Sequence, residues 1–315
     1  MRIAIVGAGG VGGYFGGSLA AAGADVTFVA RGAHLEALRA RGLRMLSDRD
    51  DRTVPVRATD APGSIGPVDL VIVAVKLWDT EGALRSIAPL VSPRTAVLSL
   101  QNGVAKDDAL REAFGADRVL GALCYIGATI VEPGVVKRTG ALAKLVVGEF
   151  DGARTARLEE FAGLCRRAEI DVAESPDIAR ATWEKFVFLV GLSGATSVVR
   201  QPIGPIRANP RSRALLAALF GETVAVGRAR GVGIDTAFAS DRLAFCDTLD
   251  VAFTSSMSTD LARGNRLEAP WLQGVVSRLG AECGVPTPAD DFVLDALAVY
   301  VDGAPDAPRV AVPAR

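Results

Sequence analysis

The first half of the chain alternates short apolar runs with segments in which apolar residues recur at helical spacing. Strand-like runs cover residues 2–7, 25–30, 70–76 and 95–103, with a shorter one near residues 53–60, and helix-like segments cover residues 11–22, 34–41, 80–91 and 106–115. Strands that are apolar along almost their whole length are buried on both faces. The alternation therefore predicts a parallel sheet covered by helices on both sides, followed by a strand pair or hairpin near Pro133 and Gly134.

The pattern changes character in the second half, from about Gly152. Apolar residues there recur every three or four positions, as in ARLEEFAGLCRRAEI and ARATWEKFVFLVGL, and residues 211–231 and 269–284 continue that pattern. No clear strand is predicted in this half. We therefore expect an α/β domain over residues 1–172 and an all-α domain over residues 173–315.

Composition narrows the class of protein. The chain has 315 residues, enough for two domains, and a formal net charge of −1, which argues against a nucleic-acid surface. No apolar run approaches the ~20 residues of a membrane span, and the N-terminus enters a strand without an export signal. The four cysteines have no CxxC spacing: Cys124, Cys165, Cys246 and Cys283. These features predict a soluble cytoplasmic protein with no metal, nucleic-acid or membrane partner.

A single histidine, His34, lies in the α/β half. A mechanism that needs a histidine acid or base in the helical domain is therefore excluded by composition. This argues against the chemistry of lactate and malate dehydrogenases.

A glycine-rich segment joins the first predicted strand to the first helix, and it consists of Gly7, Ala8, Gly9, Gly10, Val11 and Gly12. Its GxGxxG spacing is typical of dinucleotide-binding, Rossmann-like domains. There the first glycine makes a tight turn, the second lets a pyrophosphate approach the backbone, and the third allows close helix–strand packing. The helix N-terminus then presents N–H groups to the phosphates. The alternative is a glycine turn that packs a helix without any ligand.

Arg31 follows the second predicted strand, where NAD-preferring sites carry an acid that binds the ribose 2′-hydroxyl. Asp25 lies at the opposite end of that strand. An arginine at this point suits the 2′-phosphate of NADP, with His34 as a second candidate contact. The alternative is an ordinary surface arginine.

Polar residues mark two further strand ends and one helix. Lys76 follows the run LVIVAV and Asn102 follows TAVLSL, at the sheet edge where ligands of such folds bind. Each also has a structural interpretation, as an exposed lysine or as part of an Asn-Gly turn. Lys185 lies in the apolar stretch ATWEKFVFLVGL, where it is either a proton donor or a lysine extending from an amphipathic helix. Ser256 and Glu268 lie where helix caps are expected.

The order of several motifs resembles that of ketopantoate reductases (2-dehydropantoate 2-reductases), which reduce 2-dehydropantoate with NADPH on the pantothenate route. The motifs are GAGGVGG with Arg31 downstream, VKLWDT at 75–80, LQNGV at 100–104, WEKF at 183–186 and SSMSTDL…RLE at 255–268. The resemblance spans nearly the whole chain. It implies a helical second domain like that of 6-phosphogluconate dehydrogenase.

The resemblance also assigns roles to site residues. It implies that Lys185 is the catalytic proton donor and that Asn102 contacts both substrate and cofactor. Ser256 and Glu268 then bind the carboxylate and hydroxyl sides of the substrate, and Lys76 lies near cofactor and substrate. The implied partner is a small 2-oxo acid, and a homodimer is left open as the assembly state.

Two departures from the family pattern keep the substrate open. The family usually carries asparagines four and eight residues after its lysine, where this chain has Leu189 and Ser193, and Gln273-Gly274 replaces a family Asn-Gly. Leucine cannot form the hydrogen bond of an asparagine. One alternative is therefore a reductase of a different, more apolar 2-oxo acid, and another is a non-catalytic NADP-binding protein.

Overall fold

A computed structural model describes residues 1–48 and 50–305. The strands are β1 Arg2–Val6, β2 Asp25–Val29, β3 Leu43–Leu46, β4 Asp51–Val54, β5 Arg57–Thr59, β6 Leu70–Val73, β7 Ala96–Ser99, β8 Gly121–Glu132, β9 Val135–Gly148 and β10 Asp171–Glu174. The helices are α1 Gly10–Ala21, α2 Gly32–Arg41, α3 Thr80–Ser86, α4 Ala105–Phe114, α5 Ala156–Arg167, α6 Ile178–Val199, α7 Ile203–Ala208, α8 Pro210–Ala229, α9 Phe238–Thr248, α10 Ser256–Ala262, α11 Gln273–Cys283 and α12 Pro288–Leu297.

Five parallel strands form the predicted sheet, in the order β5-β2-β1-β6-β7. Successive side chains of a strand point to opposite faces, so β1 buries Ile3 and Ile5 on one face and Ala4 and Val6 on the other. The first face packs against α1 and a second sheet, and the second face packs against α3 and α4. The prediction of a Rossmann-like parallel sheet buried on both sides is confirmed.

A second sheet has the order β10-β9-β3-β4, and β8 pairs with β9 along an antiparallel hairpin. The hairpin turns at the predicted Pro133-Gly134. The single strand expected near residues 53–60 is in fact two strands, β4 and β5, which end and begin on either side of Pro55. Proline has no N–H to donate to a strand ladder, and the chain changes sheets at this point.

The expectation of no strand after Gly152 is wrong, because β10 pairs in parallel with β9 between Asp171 and Glu174. The chain divides into two compact units, Met1–Thr182 and Trp183–Arg315. The boundary expected between residues 172 and 173 would cut through β10, the strand that completes the second sheet. The observed division lies instead within the first turns of α6.

The second unit is helical, as expected. Its core is built on α6, where Trp183 and Phe186 meet edge to face at 5.7 Å between ring centroids and Phe188 stacks on Phe220 of α8 at 6.4 Å. No helix in the described part of the chain is both long enough and apolar enough to cross a membrane. Residues 1–48 and 50–305 also contain no cluster of three or more His, Cys, Asp or Glu side chains able to hold a metal ion.

Candidate active site

In the first unit, the predicted site residues form a row along one edge of the parallel sheet. The glycine segment follows β1, Arg31 follows β2, and Lys76 and Asn102 follow β6 and β7. Val73 of β6 is in register with Ser99 of β7, so Lys76 and Asn102 lie equally far beyond their strands. Because these four strands are neighbours in the order β2-β1-β6-β7, the row spans about 14 Å.

The glycine turn is shaped by two close backbone approaches. Gly7 has φ of +98°, which favours glycine, and a Cβ there would lie 2.8 Å from the Ala74 carbonyl carbon. A Cβ on Gly12 would lie 2.0 Å from the Gly7 oxygen. These two residues therefore make the tight turn and the close helix–strand contact that GxGxxG spacing predicts.

Gly9 and Gly10 differ from each other in what surrounds them. A Cβ on Gly10 would lie 2.1 Å from the Ala128 oxygen of β8, so this glycine is needed for packing against the hairpin. A Cβ on Gly9 would have no neighbour within 4 Å. Gly9 is also the N-cap of α1 and caps it with no side chain, which leaves the first-turn N–H groups without side-chain acceptors. The open side of the turn fits a dinucleotide pyrophosphate.

Arg31 forms an ion pair that the sequence did not predict. Its Nη2 lies 3.5 Å from Oδ2 of Asp79, in the short helical turn after Lys76. The Arg31 side chain is 76% exposed and that of Asp79 38%. The guanidinium is therefore at the surface beside the glycine turn, as a 2′-phosphate contact requires, but a carboxylate already lies against it.

Gln101, immediately before Asn102, is buried and connects two strand ends. Its Nε2 donates to the Val75 carbonyl at 3.0 Å and to Oγ1 of Thr80 at 2.7 Å, and its Oε1 accepts from Ser99 at 3.0 Å. This amide holds the segment after β6 against the segment after β7. Lys76, which lies in the first of these segments, places its Nζ 5.4 Å from the Trp78 ring centroid.

The loop that carries Asn102 is anchored by a buried ion pair at the start of α4. Lys106 Nζ lies 2.7 Å from Oδ1 of Asp107 and donates to the Ala122 carbonyl of β8 at 2.9 Å. Burial raises the pKa of Asp107, and the neighbouring Lys106 opposes that shift. The loop is thus fixed to β8 at its far end.

His34 joins the glycine turn to the hairpin. The Gly134 N–H donates to its Nδ1 at 3.1 Å, and the ring is half-buried beside the Ala8 backbone. Burial lowers the pKa of His34, while the Ala8 backbone opposes that shift. The ring therefore has a structural contact where the sequence suggested a phosphate contact.

In the second unit, Lys185 begins a stripe along α6. Lys185 and Leu189, one turn apart, are half-buried, and Ser193 is fully buried. The Ser193 hydroxyl hydrogen-bonds to the Leu189 carbonyl and lies 3.3 Å from that of Val190. Four and eight residues after Lys185, the two positions that carry asparagine in the family pattern thus offer an apolar side chain and a hydroxyl bonded within its own helix.

The other predicted residues of this unit lie on segments fastened to α6. The hydroxyls of Ser255, the N-cap of α10, and Thr196 are 2.8 Å apart, and Ser256 is the first, exposed residue of α10. Thr196 lies on the Lys185 face of α6, about 16 Å along its axis. Glu268, half-buried, precedes a short turn leading to Gln273, whose Nε2 donates to the Val190 carbonyl at 2.9 Å.

The sequence did not single out Asp79 or Thr196, and it marked Gln101 only as a polar residue at a strand end beside Asn102. Asp79 and Gln101 fall inside the motifs VKLWDT and LQNGV, and a polar residue next to a strand end was the available signal for Gln101. Nothing local signalled Thr196, because its partner Ser255 is distant in the chain.

Comparison with known proteins gives two family matches. Residues 3–152 match the model "Ketopantoate reductase PanE/ApbA", and residues 177–301 match "Ketopantoate reductase PanE/ApbA C terminal". A 2-dehydropantoate 2-reductase from Mesorhizobium japonicum is 32% identical over 320 residues, covering 93% of this chain and 96% of that protein. The uncharacterized oxidoreductase YkpB of Bacillus subtilis is 30% identical over 300 residues, covering 95% and 99%.

A solved structure shows the same architecture. The crystal structure of 2-dehydropantoate 2-reductase from Geobacter metallireducens aligns with a TM-score of 0.86 at 35% identity, covering 95% of this chain and 99% of that one. The likeness extends over both units, each of which also has its own family match.

Proposed function

Because this chain belongs to the ketopantoate reductase family, a family of oxidoreductases, we propose that it reduces a 2-oxo acid to a 2-hydroxy acid with NADPH. The first candidate reaction is 2-dehydropantoate to (R)-pantoate, since relatives about 30% identical carry the name 2-dehydropantoate 2-reductase. Besides NADPH, a small 2-oxo acid is then the only partner that the reaction requires.

The observation that carries the proposal is the position of Lys185. It is a half-buried lysine among the buried residues Phe186 and Val187, on a helix to which the segments of Ser256 and Glu268 are fastened. An ammonium at such a position can hydrogen-bond a carbonyl oxygen and transfer a proton to it as negative charge develops there.

The first unit supports the choice of coenzyme. Gly9 leaves the backbone open to a pyrophosphate, the α1 N-terminus offers N–H groups, and Arg31 presents a guanidinium to a 2′-phosphate. Bound NADPH would supply the hydride that reduces the keto carbon.

The chain's own residues would perform the remaining tasks. Lys185 holds the keto oxygen and donates the proton that completes the new hydroxyl. Ser256 hydrogen-bonds the substrate carboxylate. Glu268 accepts a hydrogen bond from the hydroxyl that 2-dehydropantoate already carries. Asn102 orients the reacting groups, and Lys76 contributes positive charge at the same sheet edge as Asn102.

A second candidate substrate class is favoured by Leu189. The side chain one turn from Lys185 is apolar, and the Ser193 hydroxyl bonds within α6, so neither replaces an asparagine that would bind a substrate hydroxyl. This favours a 2-oxo acid with an apolar side chain over one with a hydroxyl.

The test is NADPH oxidation with two substrates that differ only in that hydroxyl, namely 2-dehydropantoate and 3,3-dimethyl-2-oxobutanoate. A higher kcat/KM for the first supports ketopantoate reduction, and a higher value for the second supports the apolar class. Absence of turnover with both and with a panel of other 2-oxo acids, in protein that binds NADPH, would overturn the proposal in favour of a non-catalytic binding protein.

A further inference from the structure

We propose that Asp79 sets the coenzyme preference of this protein, by holding Arg31 across the glycine turn and competing with a 2′-phosphate for it. The inference rests on the proposed use of NADPH. It predicts that the protein with Asp79 is less selective for NADPH over NADH than the same protein with a neutral residue in place of Asp79.

The ion pair joins the two segments on either side of the glycine turn. Arg31 follows β2 and Asp79 lies beyond the end of β6, and these strands are the two neighbours of β1. Their separation is two strand spacings, about 9.6 Å. The strand order therefore places their 3.5 Å contact between the ends of β2 and β6, on either side of the strand that leads into Gly7.

The backbone that carries the acid is held in place, and the Arg31 side chain is the more exposed of the two, at 76% against 38%. The Asp79 N–H donates to the Lys76 carbonyl at 2.9 Å, and the next residue, Thr80, accepts from Gln101 and donates to the Leu77 carbonyl. Within the described residues, Asp79 is the only charged partner of Arg31. Because an arginine side chain has more rotatable bonds than an aspartate, we expect the guanidinium to be the group that moves when a ligand binds it.

The charges make the two coenzymes unequal. A phosphate monoester carries about −1.5 to −2 at neutral pH and binds a guanidinium through charge-assisted bonds, so it can displace the carboxylate. Asp79 then stays close to the phosphate and repels it. NADH has no 2′-phosphate, and an acid beside the adenosine ribose can accept from the 2′-hydroxyl, as in NAD-preferring domains.

The experiment measures dissociation constants of NADPH and NADH by titration calorimetry at low ionic strength. Four proteins are compared: wild type, Asp79→Asn, Arg31→Ala and the control Asp51→Asn. Asp51 is matched because it also forms an exposed pair with an arginine, Arg44 at 2.7 Å, but in the second sheet.

We expect Asp79→Asn to tighten NADPH by about fivefold, with NADH unchanged or weaker, and the gain to shrink at high salt. Asp51→Asn should leave the ratio of the two constants at its wild-type value. Arg31→Ala should weaken NADPH and leave NADH nearly unchanged.

The outcomes separate the two proposals. If Arg31→Ala weakens NADPH but Asp79→Asn leaves the ratio unchanged or lowers it, the role of Asp79 is overturned and NADPH use stands. If Arg31→Ala does not change NADPH binding, the proposed NADPH site fails, and the role of Asp79 fails with it. If Asp51→Asn tightened NADPH binding as much as Asp79→Asn, the effect would come from the change in net charge alone. That result would also overturn the proposal.

Discussion

The backbone N–H of Gly134 donates to Nδ1 of His34 at 3.1 Å. An imidazole nitrogen that accepts a hydrogen bond carries no proton, so the neutral ring holds its proton on Nε2. Protonation of Nδ1 would set two donors against each other. The contact between the hairpin and α2 therefore requires a neutral His34.

This contact predicts a loss of stability in acid. Burial holds the pKa of His34 below its ordinary 6.5, so the unfolded chain binds a proton at a higher pH than the folded one. The stability that the neutral His34 ring contributes is complete above pH 6.5 and is lost as the pH falls through the folded-state pKa. Because His34 is the only histidine, proton NMR can follow its titration without assignment.

The matched variant is His34→Asn, whose Oδ1 can accept from Gly134 but does not titrate. We expect the difference in unfolding free energy between wild type and variant to shift against the wild type on acidification from pH 6.5. A measured pKa at or above 6.5 would contradict the expectation.

Alanine substitutions at the neighbouring Gly9 and Gly10 should affect NADPH binding and folding stability differently. Gly9→Ala should leave the unfolding free energy within about 1 kcal/mol of wild type, since its Cβ would point into open space, and should weaken NADPH binding. Gly10→Ala should cost about 1–3 kcal/mol, since its Cβ would meet the Ala128 oxygen. Denaturant unfolding and calorimetry check both. Equal NADPH binding by wild type and Gly9→Ala would remove Gly9 from the coenzyme site.

Lys185→Ala should lower kcat by about 10²- to 10⁴-fold, because the keto oxygen loses its proton donor. NADPH affinity should be nearly unchanged, since the proposed coenzyme contacts are in the first unit. Lys144→Ala is the control, as that lysine pairs at 3.9 Å with Asp171 in the second sheet. Turnover that survives the change at Lys185 would show the assignment to be wrong.

Leu189→Asn should shift preference toward the hydroxylated substrate. An amide one turn from Lys185 can bind a hydroxyl that leucine leaves unpaired, and we expect the kcat/KM ratio of 2-dehydropantoate to 3,3-dimethyl-2-oxobutanoate to rise about tenfold. Leu164→Asn, a half-buried leucine on α5, controls for lost stability. An unchanged ratio would mean that Leu189 does not contact the substrate side chain.

Asp290→Asn should stabilise the protein at neutral pH. Asp290 is fully buried on α12, and burial, with Glu222 close by, raises its pKa well above 3.8. For an acid whose folded-state pKa is raised, stability is complete below the unfolded value and is lost as the pH rises through the folded value. We expect a gain of about 1–2 kcal/mol at pH 7 that shrinks toward pH 4.

Urea unfolding at both pH values checks this, with the exposed Asp295→Asn on the same helix as control. A gain independent of pH would point to altered packing and not to ionisation.

Most of the parallel sheet could be predicted because four of its five strands carry their own signals. β1 and β6 are continuous apolar runs, and Gly7 marks the turn into α1. The second sheet could not, because its pairings are distant in sequence: β9 joins β3 on one part of its length and β10 on another. Four-residue β10 has no fully buried side chain, so no apolar pattern distinguishes it from a loop.

The site residues divide in the same way. Lys76 and Asn102 stand out because each is a polar residue directly after an apolar strand, which is a local signal. Since parallel strands end at a common edge, the two residues are expected at the same edge of the sheet. The ion pair between Arg31 and Asp79 forms because β2 and β6 lie on either side of β1 in the sheet. That strand order cannot be read from a short stretch of sequence. Ser256 and Glu268 look like helix caps, and only the family resemblance gave them a role.

The Gln101 side chain gives the sheet edge that carries Lys76 and Asn102 a further property. Through Val75 and Thr80, one buried amide fixes the Asp79 turn relative to the loop of Asn102. The two loops are therefore preorganised before anything binds. A ligand that contacts both loops would lose its own translational and conformational entropy, but the protein would lose little, because its loops are already ordered. The affinity of such a ligand should therefore benefit from contacts with both loops at once.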